Sequence, residues 1–299
     1  MNKFLSIIIP VYNAQDIILE FYENIKRIEN AEFIFVNDGS LDDSYLILNE
    51  ISSNDKRVKV IHQENKGPMH ARNSGMNLAC YDYISFIDID DKIDENFFYN
   101  RALWDKADLI ITSYFSEKNN QIVSKFKEGY YNSVEFLNLI SMHGGWELWG
   151  KIYKRKVLNN ILIPPEKLKA GEDAYIFVQC LINADKVLVL EDYYYYYYYD
   201  KSSISNQKDD IFIIDNYKAC LYILDFLSNS EKLIASEVYS NFLILFFCNS
   251  VKKNFKSKKL INFKNLIRYF NCSRSFNSSL PKKKFFIFIF YFFILDCKV

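Results

Sequence analysis

Asp88-Ile89-Asp90-Asp91 places three carboxylates within four residues, directly after the apolar run Tyr83-Ile84-Ser85-Phe86-Ile87. Like charges so close repel unless a cation joins them. A hard cation such as Mn2+ or Mg2+ takes one or two carboxylates and completes its shell with diphosphate oxygens. A solvated acidic turn is the bland alternative, and a position after a buried parallel strand weighs against it. Asp38-Gly39-Ser40 follows a second apolar run, Phe33-Ile34-Phe35-Val36. A carboxylate there can accept from a uracil N–H or a ribose hydroxyl, although the same letters also spell a plain Asp-Gly turn. Asn65-Lys66-Gly67, ahead of Ala71-Arg72-Asn73-Ser74-Gly75, reads as a loop feeding a helix whose first amides and Arg72 suit a phosphate.

The elements that must position these groups alternate in texture. Short β-rich runs at Leu5–Val11, Glu32–Asn37, Arg57–His62 and Tyr83–Asp88 flank stretches of helical spacing at Gln15–Ile28, Asp42–Ile51 and Met69–Ala79. That alternation predicts parallel βαβ units in an α/β fold, a mostly parallel sheet flanked by helices. The four polar run ends then gather beyond the carboxyl edge of one sheet, where such sheets bind ligands. After about residue 105 the pattern predicts strands at Asp108–Ser113 and Lys186–Leu190, with a hairpin-like stretch at Gln121–Phe126. Helices are expected at Ser133–Met142, from Glu172, and two or three times between Asp210 and Phe270. Within Tyr193–Tyr199, side-chain alternation predicts half of the tyrosines in the core and half exposed.

Ser6-Ile7-Ile8-Ile9-Pro10-Val11-Tyr12-Asn13, Asn37-Asp38-Gly39-Ser40, the Asn65 and Ala71 segments, and Phe86-Ile87-Asp88-Ile89-Asp90-Asp91 together resemble the successive motifs of family 2 glycosyltransferases. The resemblance covers residues 4 to about 100 and implies the GT-A fold, a UDP-sugar donor and a divalent metal. It implies that Tyr12, in the Pro10–Asn13 segment, packs on the uracil and that Asp38, with Gly39, binds its ring. Arg72 would sit near the diphosphate and Asp88 would contact the ribose. Asp90 would hold the metal, with Asp91 a supporting ligand or a carboxylate behind it. Gly171-Glu172-Asp173 resembles the element whose Asp is the catalytic base of inverting members, and an acidic first helical turn is its bland reading. Trp149-Gly150-Lys151-Ile152-Tyr153 resembles the acceptor-side stretch, which makes Trp146, Trp149, Lys151 and Glu172 acceptor-site candidates against a core role for both tryptophans. His143 is weighed as a diphosphate neighbour against a structural residue. Asp200-Lys201 stands where the family has a basic residue, so contact of that loop with the diphosphate is in doubt.

The resemblance implies transfer onto a bacterial capsule, lipopolysaccharide or other surface glycan, lipid-linked or not, by an enzyme at the inner face of the cytoplasmic membrane. A polyprenyl-phosphate glycosyltransferase and an inactive glycan-binding subunit are the rivals. The Trp149/Lys151 stretch argues against the first, and intact Asp38, Asp90 and Asp173 against the second. The composition supports an enzyme of this kind. Half of the 299 residues are hydrophobic, enough for a sizeable core, and formal net charge is zero, which excludes a general nucleic-acid binder. Residues 251–299 nevertheless hold twelve Lys and Arg against the single acid Asp296. A helical basic module over 206–299, after a GT-A domain over 1–205, is the expected organisation. Its run Phe285–Leu295 behind Pro281-Lys282-Lys283-Lys284 is eleven residues, too short to span a bilayer of about 30 Å. It suits an anionic membrane interface, or packing on the protein. Six scattered cysteines without a CxxC pair, and an N-terminus unlike a secretory signal, point to a reducing compartment.

Overall fold

Leu5–Val11 and Ala31–Asp38 are near-continuous apolar runs because both faces of these strands are covered, and of their residues only Pro10 is less than fully buried. The computed structural model describes residues 5–99, 101–198, 210–230, 238 and 241. In chain order they form β1 (Leu5–Val11), α1 (Ile18–Ile25), β2 (Ala31–Asp38), α2 (Ser44–Asn54), β3 (Val58–Gln63), α3 (Pro68–Leu78), β4 (Tyr83–Phe86) and β5 (Lys92–Ile93). Two short 3-10 segments lead to β6 (Leu109–Ser116), β7 (Gln121–Val123), β8 (Gly129–Asn132), α4 (Ser133–His143) and β9 (Lys151–Lys154). After a third 3-10 segment come α5 (Glu172–Asn183), β10 (Lys186–Tyr197) and α6 (Asp210–Ser228).

The strands make one sheet in the order β3-β2-β1-β4-β9-β6-β10-β5, with β7 beside β6 and β8 beside β10. β3, β2, β1 and β4 are mutually parallel, and β10 is parallel to β6. β9 is inserted antiparallel between β4 and β6. This is the mostly parallel α/β sheet expected from the alternation. The short strands β5, β8 and β9 went unread because each is only two to four residues long and carries no period of its own. Pro10 sits in a central strand without cost. Ile8 directs its carbonyl at Ile87 of the β4 side, and Pro10 has the same parity, but pairing with β4 ends at Ile8 and Phe86. Its missing N–H therefore breaks no ladder bond.

The tyrosine strand departs from simple alternation. Tyr194 and Tyr195 are adjacent, yet both are fully buried, and none of Tyr193–Tyr198 is exposed. Register shifts against β6 fall between Leu190 and Tyr193 and between Tyr193 and Tyr195, so successive side chains do not simply swap faces.

By internal packing the chain divides into two units that interleave in sequence. The first, within 1–133, 147–167 and 183–201, holds the whole sheet with α1, α2 and α3. The second, within 134–146, 168–182 and 202–299, holds nearly all of α4 and α5, together with α6. Inside it α5 and α6 meet closely: a Cβ on Gly171 would lie 2.6 Å from that of Ala219, and the Tyr175 and Tyr222 rings are 5.6 Å apart. The helix α5, which precedes residue 205, thus packs with the one that follows it. The expected boundary at 205/206, the Asp200-Lys201 loop and the basic tail lie outside the described residues.

Two features of the first unit generate tests. Gly75 lets α3 lie flat on β1, for a Cβ there would come 2.4 Å from Ile8 Cγ2. Alanine is favoured over glycine within a helix by about 1 kcal/mol, whereas overpacking costs about 1–3 kcal/mol. Gly75→Ala should therefore lower the thermal midpoint, and a raised midpoint would show that α3 has room to shift. The second feature is His62. Asn37 accepts the Ser40 N–H through Oδ1, so its amide NH2 faces His62 Nδ1 at 3.1 Å, and His62 Nε2 donates to Asn49 Oδ1 at 3.2 Å. This network assigns a neutral imidazole, and loss of water on the ring face against Tyr45 holds the His62 pKa below its ordinary value although the side chain is otherwise exposed. A base whose folded pKa is depressed leaves stability unaffected above the unfolded value near 6.5 and removes it as pH falls through that point. The melting midpoint should fall faster between pH 7.5 and 5.5 in the wild type than in His62→Gln. Parallel profiles for the two proteins would refute the assignment.

Candidate active site

The Asp88–Asp91 turn follows β4 and is closed by the Asp91 N–H donating to the Asp88 carbonyl at 3.2 Å. Its three carboxylates have three different surroundings. Asp91 is buried, and its Oδ2 accepts from the Tyr195 hydroxyl at 2.6 Å while Oδ1 accepts from the Tyr198 N–H at 2.9 Å. Burial, with the charges of Asp88 and Asp90 behind it, overcomes those hydrogen bonds and pushes the Asp91 pKa up to about 8. Asp88 is half-buried and its Oδ1 pairs with Arg72 Nη2 at 2.7 Å, across from α3. Asp90 is exposed at the tip.

Arg72 is only 5% exposed, so its guanidinium is turned into the protein toward Asp88 rather than out into solvent. The arginine expected near a diphosphate therefore braces one of the carboxylates.

Asp38, the last residue of β2, is buried and works as a fastener. Its Oδ1 accepts from Gln63 Nε2 at 2.7 Å and from the Lys66 N–H at 2.9 Å, and its Oδ2 accepts from the Gly67 N–H at 2.7 Å. Gln63 is itself oriented by Ser74, whose hydroxyl donates to Oε1 at 2.6 Å. The amides of Lys66 and Gly67, just ahead of the helix, are thus spent on Asp38. Gly39 has a φ of +72°, and a Cβ there would come 2.7 Å from the Asn65 nitrogen, so only glycine lets the two loops meet. At the end of β1 the Tyr12 ring is 50% exposed, free to receive a flat ligand. Asn13, next to it, ties loops together: its N–H donates to Ser40 Oγ at 2.9 Å and its Oδ1 accepts from the Leu41 N–H at 2.8 Å.

The acceptor-side candidates are placed less openly. Trp149 is half-buried and near-parallel to Tyr195 and Tyr197, at centroid distances of 4.6 and 5.3 Å, with the Tyr114 ring edge-on at 5.0 Å. Its stacking surface is taken up by tyrosines, which is the core reading of this residue. Lys151 is buried, and its ammonium donates to the carbonyls of Glu147 and Trp149. Burial would raise the Glu147 pKa, but Lys151 and Lys125 beside it win and hold it below the ordinary carboxylate value. Glu172 and Asp173, both half-buried, form the first turn of α5 in the second unit, where His143 ends α4 and Trp146 also lies. The residues that sequence reasoning missed are Gln63, Ser74 and Tyr195. Nothing local marks the first two, and Tyr195 was lost among seven identical neighbours.

The donor set at the turn fits a hard divalent cation. It offers oxygen ligands, one of them exposed, and among the described residues no group of three acidic, His or Cys side chains could encage a metal. A cation that keeps positions for phosphate oxygens needs only one or two protein carboxylates.

Residues 6–158 match the family described as Glycosyl transferase family 2. Glycosyltransferase GlyA of Streptococcus pneumoniae serotype 4 is 30% identical over 220 residues, which cover 67% of this chain and 31% of GlyA. The chain thus spans about a third of that relative's length. A crystal structure of S. aureus TarS 1–349 in complex with UDP-GlcNAc is similar with a TM-score of 0.72 at 22% identity, covering 90% of this chain and 80% of that one. Mannosyltransferase PcManGT from Pyrobaculum calidifontis, in complex with GDP-Man and Mn2+, reaches a TM-score of 0.56 at 12% identity, covering 91% and 80%. At such identities the likeness to the solved structures is one of fold, and that fold is GT-A. With its motifs at the strand ends and a family match over just more than half its length, the chain belongs to glycosyl transferase family 2.

Proposed function

We propose that this chain is an inverting glycosyltransferase that moves a sugar from a UDP-sugar to a hydroxyl of a surface-glycan acceptor. The observation that carries the reading is the Asp88–Asp91 turn at the end of β4, with one carboxylate open, one braced and one buried. TarS binds UDP-GlcNAc on the same fold, which supports a UDP-sugar donor here. In this reading the half-exposed Tyr12 ring packs on the uracil, beside Pro10 and Asn13. Asp38 accepts from the ring N–H through the lone pair that Oδ2 retains, with Gly39 allowing close approach. Asp88, held by Arg72, turns its second oxygen to the ribose.

Asp90 holds the metal, Mn2+ or Mg2+, and Asp91 supports it from behind. A cation held there would neutralise charge on the departing diphosphate. PcManGT carries Mn2+ in its complex, which supports this cofactor. Asp173 takes the proton of the acceptor hydroxyl as that oxygen bonds to the anomeric carbon and the bond from that carbon to UDP breaks. Such a positioned base contributes about 10²–10⁴-fold. Glu172 beside it faces the acceptor in this scheme. Trp149 and Lys151 serve by holding the tyrosine strand and the 147–149 turn. A lipid-linked glycan acceptor at the inner face of a bacterial membrane fits the basic residues of 251–299. Among the described residues no helix is long and apolar enough to cross a membrane.

Two substitutions test the reading. Asp90→Ala should abolish the gain in UDP affinity that Mn2+ brings, as read by calorimetry, and an unchanged gain would remove Asp90 from the metal. Asp173→Asn should cut transfer at least about 10²-fold with donor affinity retained. A near-native turnover would place the base elsewhere, with Glu172 the next residue to replace.

A further inference from the structure

The Tyr195 hydroxyl touches both ends of the carboxylate turn. It donates to Asp91 Oδ2 at 2.6 Å and accepts from the Asp88 N–H at 3.3 Å. A phenol has one proton to give, and here that proton goes to a carboxylate while its oxygen takes an amide. The ring cannot swing away. Tyr195 is fully buried and stacks on Trp149 at 4.6 Å and 13°. Its backbone is paired on both sides, with Tyr114 of β6 and with Ile93 of β5, and β5 begins immediately after Asp91. The Asp94 N–H donates to the Tyr194 carbonyl at 2.7 Å, and the Tyr198 N–H donates to Asp91, so the turn is sewn to β10 at three further points. Asp90 stands between the two ends that this one oxygen joins.

We infer that Tyr195 is a positioning residue, one that fixes the Asp88–Asp91 turn so that Asp90 presents its carboxylate to the diphosphate-bound cation. The inference rests on the metal reading proposed above and adds to it a residue outside the turn. Without the hydroxyl, Asp91 would lose its side-chain donor among the described residues, and Asp88 the acceptor of its N–H. The turn would then lose the tie between its two ends and be free to change shape. Groups that orient a metal ligand typically change metal affinity about 10–100-fold when removed, and Tyr195 orients Asp90 through the residues on either side of it.

The neighbouring residue supplies a matched control. Tyr194 is equally buried, lies on the same strand and also uses its hydroxyl, but toward the Ser85 hydroxyl and the Lys151 carbonyl at 3.1 and 3.2 Å. Tyr194→Phe and Tyr195→Phe delete the same atom from the same strand at two addresses. The experiment is calorimetric titration of UDP into the full chain, with and without Mn2+, for the wild type and both variants, with a thermal melt of each. The expected result is that both variants melt lower, while only Tyr195→Phe loses about tenfold or more of the gain in UDP affinity that Mn2+ brings. UDP affinity without metal should stay near the wild-type value in both. A wild-type gain in Tyr195→Phe, or an equal loss in Tyr194→Phe, overturns the inference and leaves Tyr195 a core residue. No Mn2+ gain in the wild type itself overturns the metal reading first, and this inference with it. Should Tyr195→Phe not fold, Trp149→Phe keeps the hydroxyl and trims the ring stacked on it. A smaller loss of the Mn2+ gain then supports the inference, and an unchanged gain overturns it.

Discussion

Three carboxylates inside four residues repel one another, and the first unit is organised around containing that repulsion. Two unit charges about 4 Å apart interact by about 4 kcal/mol at the effective dielectric of a protein surface, so a turn of this kind does not hold its shape unaided. Here each carboxylate is dealt with separately. Arg72 neutralises Asp88 from α3, Tyr195 of β10 and the Tyr198 N–H just beyond it engage Asp91, and Asp90 is exposed. Burial beside like charge still opposes ionisation of Asp91 and pushes its pKa up to about 8. A cation at the tip would relieve the same opposition, which is why the turn and a diphosphate-bound metal suit each other.

That containment depends on distances set far from the turn. Arg72 reaches Asp88 only because α3 lies close on β1, and Gly75 against Ile8 is what permits the approach. α3 is in turn registered from its own start, where Asp38 holds the Lys66 and Gly67 amides and Gln63. Three of the acceptor positions of Asp38 build the loop, which leaves one for the ring N–H in the proposed role. The β1 and β2 loops are bound to each other in the same manner through Asn13, Ser40 and Leu41. The nucleotide side of the proposed site is a set of strand ends fastened in pairs, which limits the reorganisation a ligand would have to impose.

The opposite side of the turn rests on aromatic packing. Trp149 between Tyr195 and Tyr197, with Tyr114 edge-on, forms a wall along β10 and β6. Offset and edge-to-face ring pairs contribute about 0.5–1.5 kcal/mol each beyond burial, and rings fixed in this way keep their hydroxyls in one place. The Lys151 ammonium capping the 147–149 carbonyls holds the loop that carries Trp149. A tyrosine run that looks like low complexity is, in the fold, a strand whose individual rings have different work.

Much of this was legible in the chain itself. Apolar runs punctuated by Asp38, Asp88 and their neighbours dictated parallel strands with chemistry at their carboxyl ends, because burial on both faces and a 3.6-residue helical period leave strong local signals. The acidic turn itself, and the expectation that it suits a hard cation, also came from residue type and spacing. What the sequence could not assign was which partner each polar group would take. Arg72 to Asp88, Asp38 to the Lys66 and Gly67 amides, and Tyr195 to Asp91 join residues 16, 28 and 29, and 104 positions apart. Such pairings have no local period. They depend on sheet order, on the bulges that shift β10 against β6, and on the insertion of β9 between β4 and β6. The chain determined which groups are available for chemistry. Only tertiary packing decided which of them face a ligand and which hold the others still, since burial and hydrogen-bond satisfaction are properties of the assembled sheet and not of any segment.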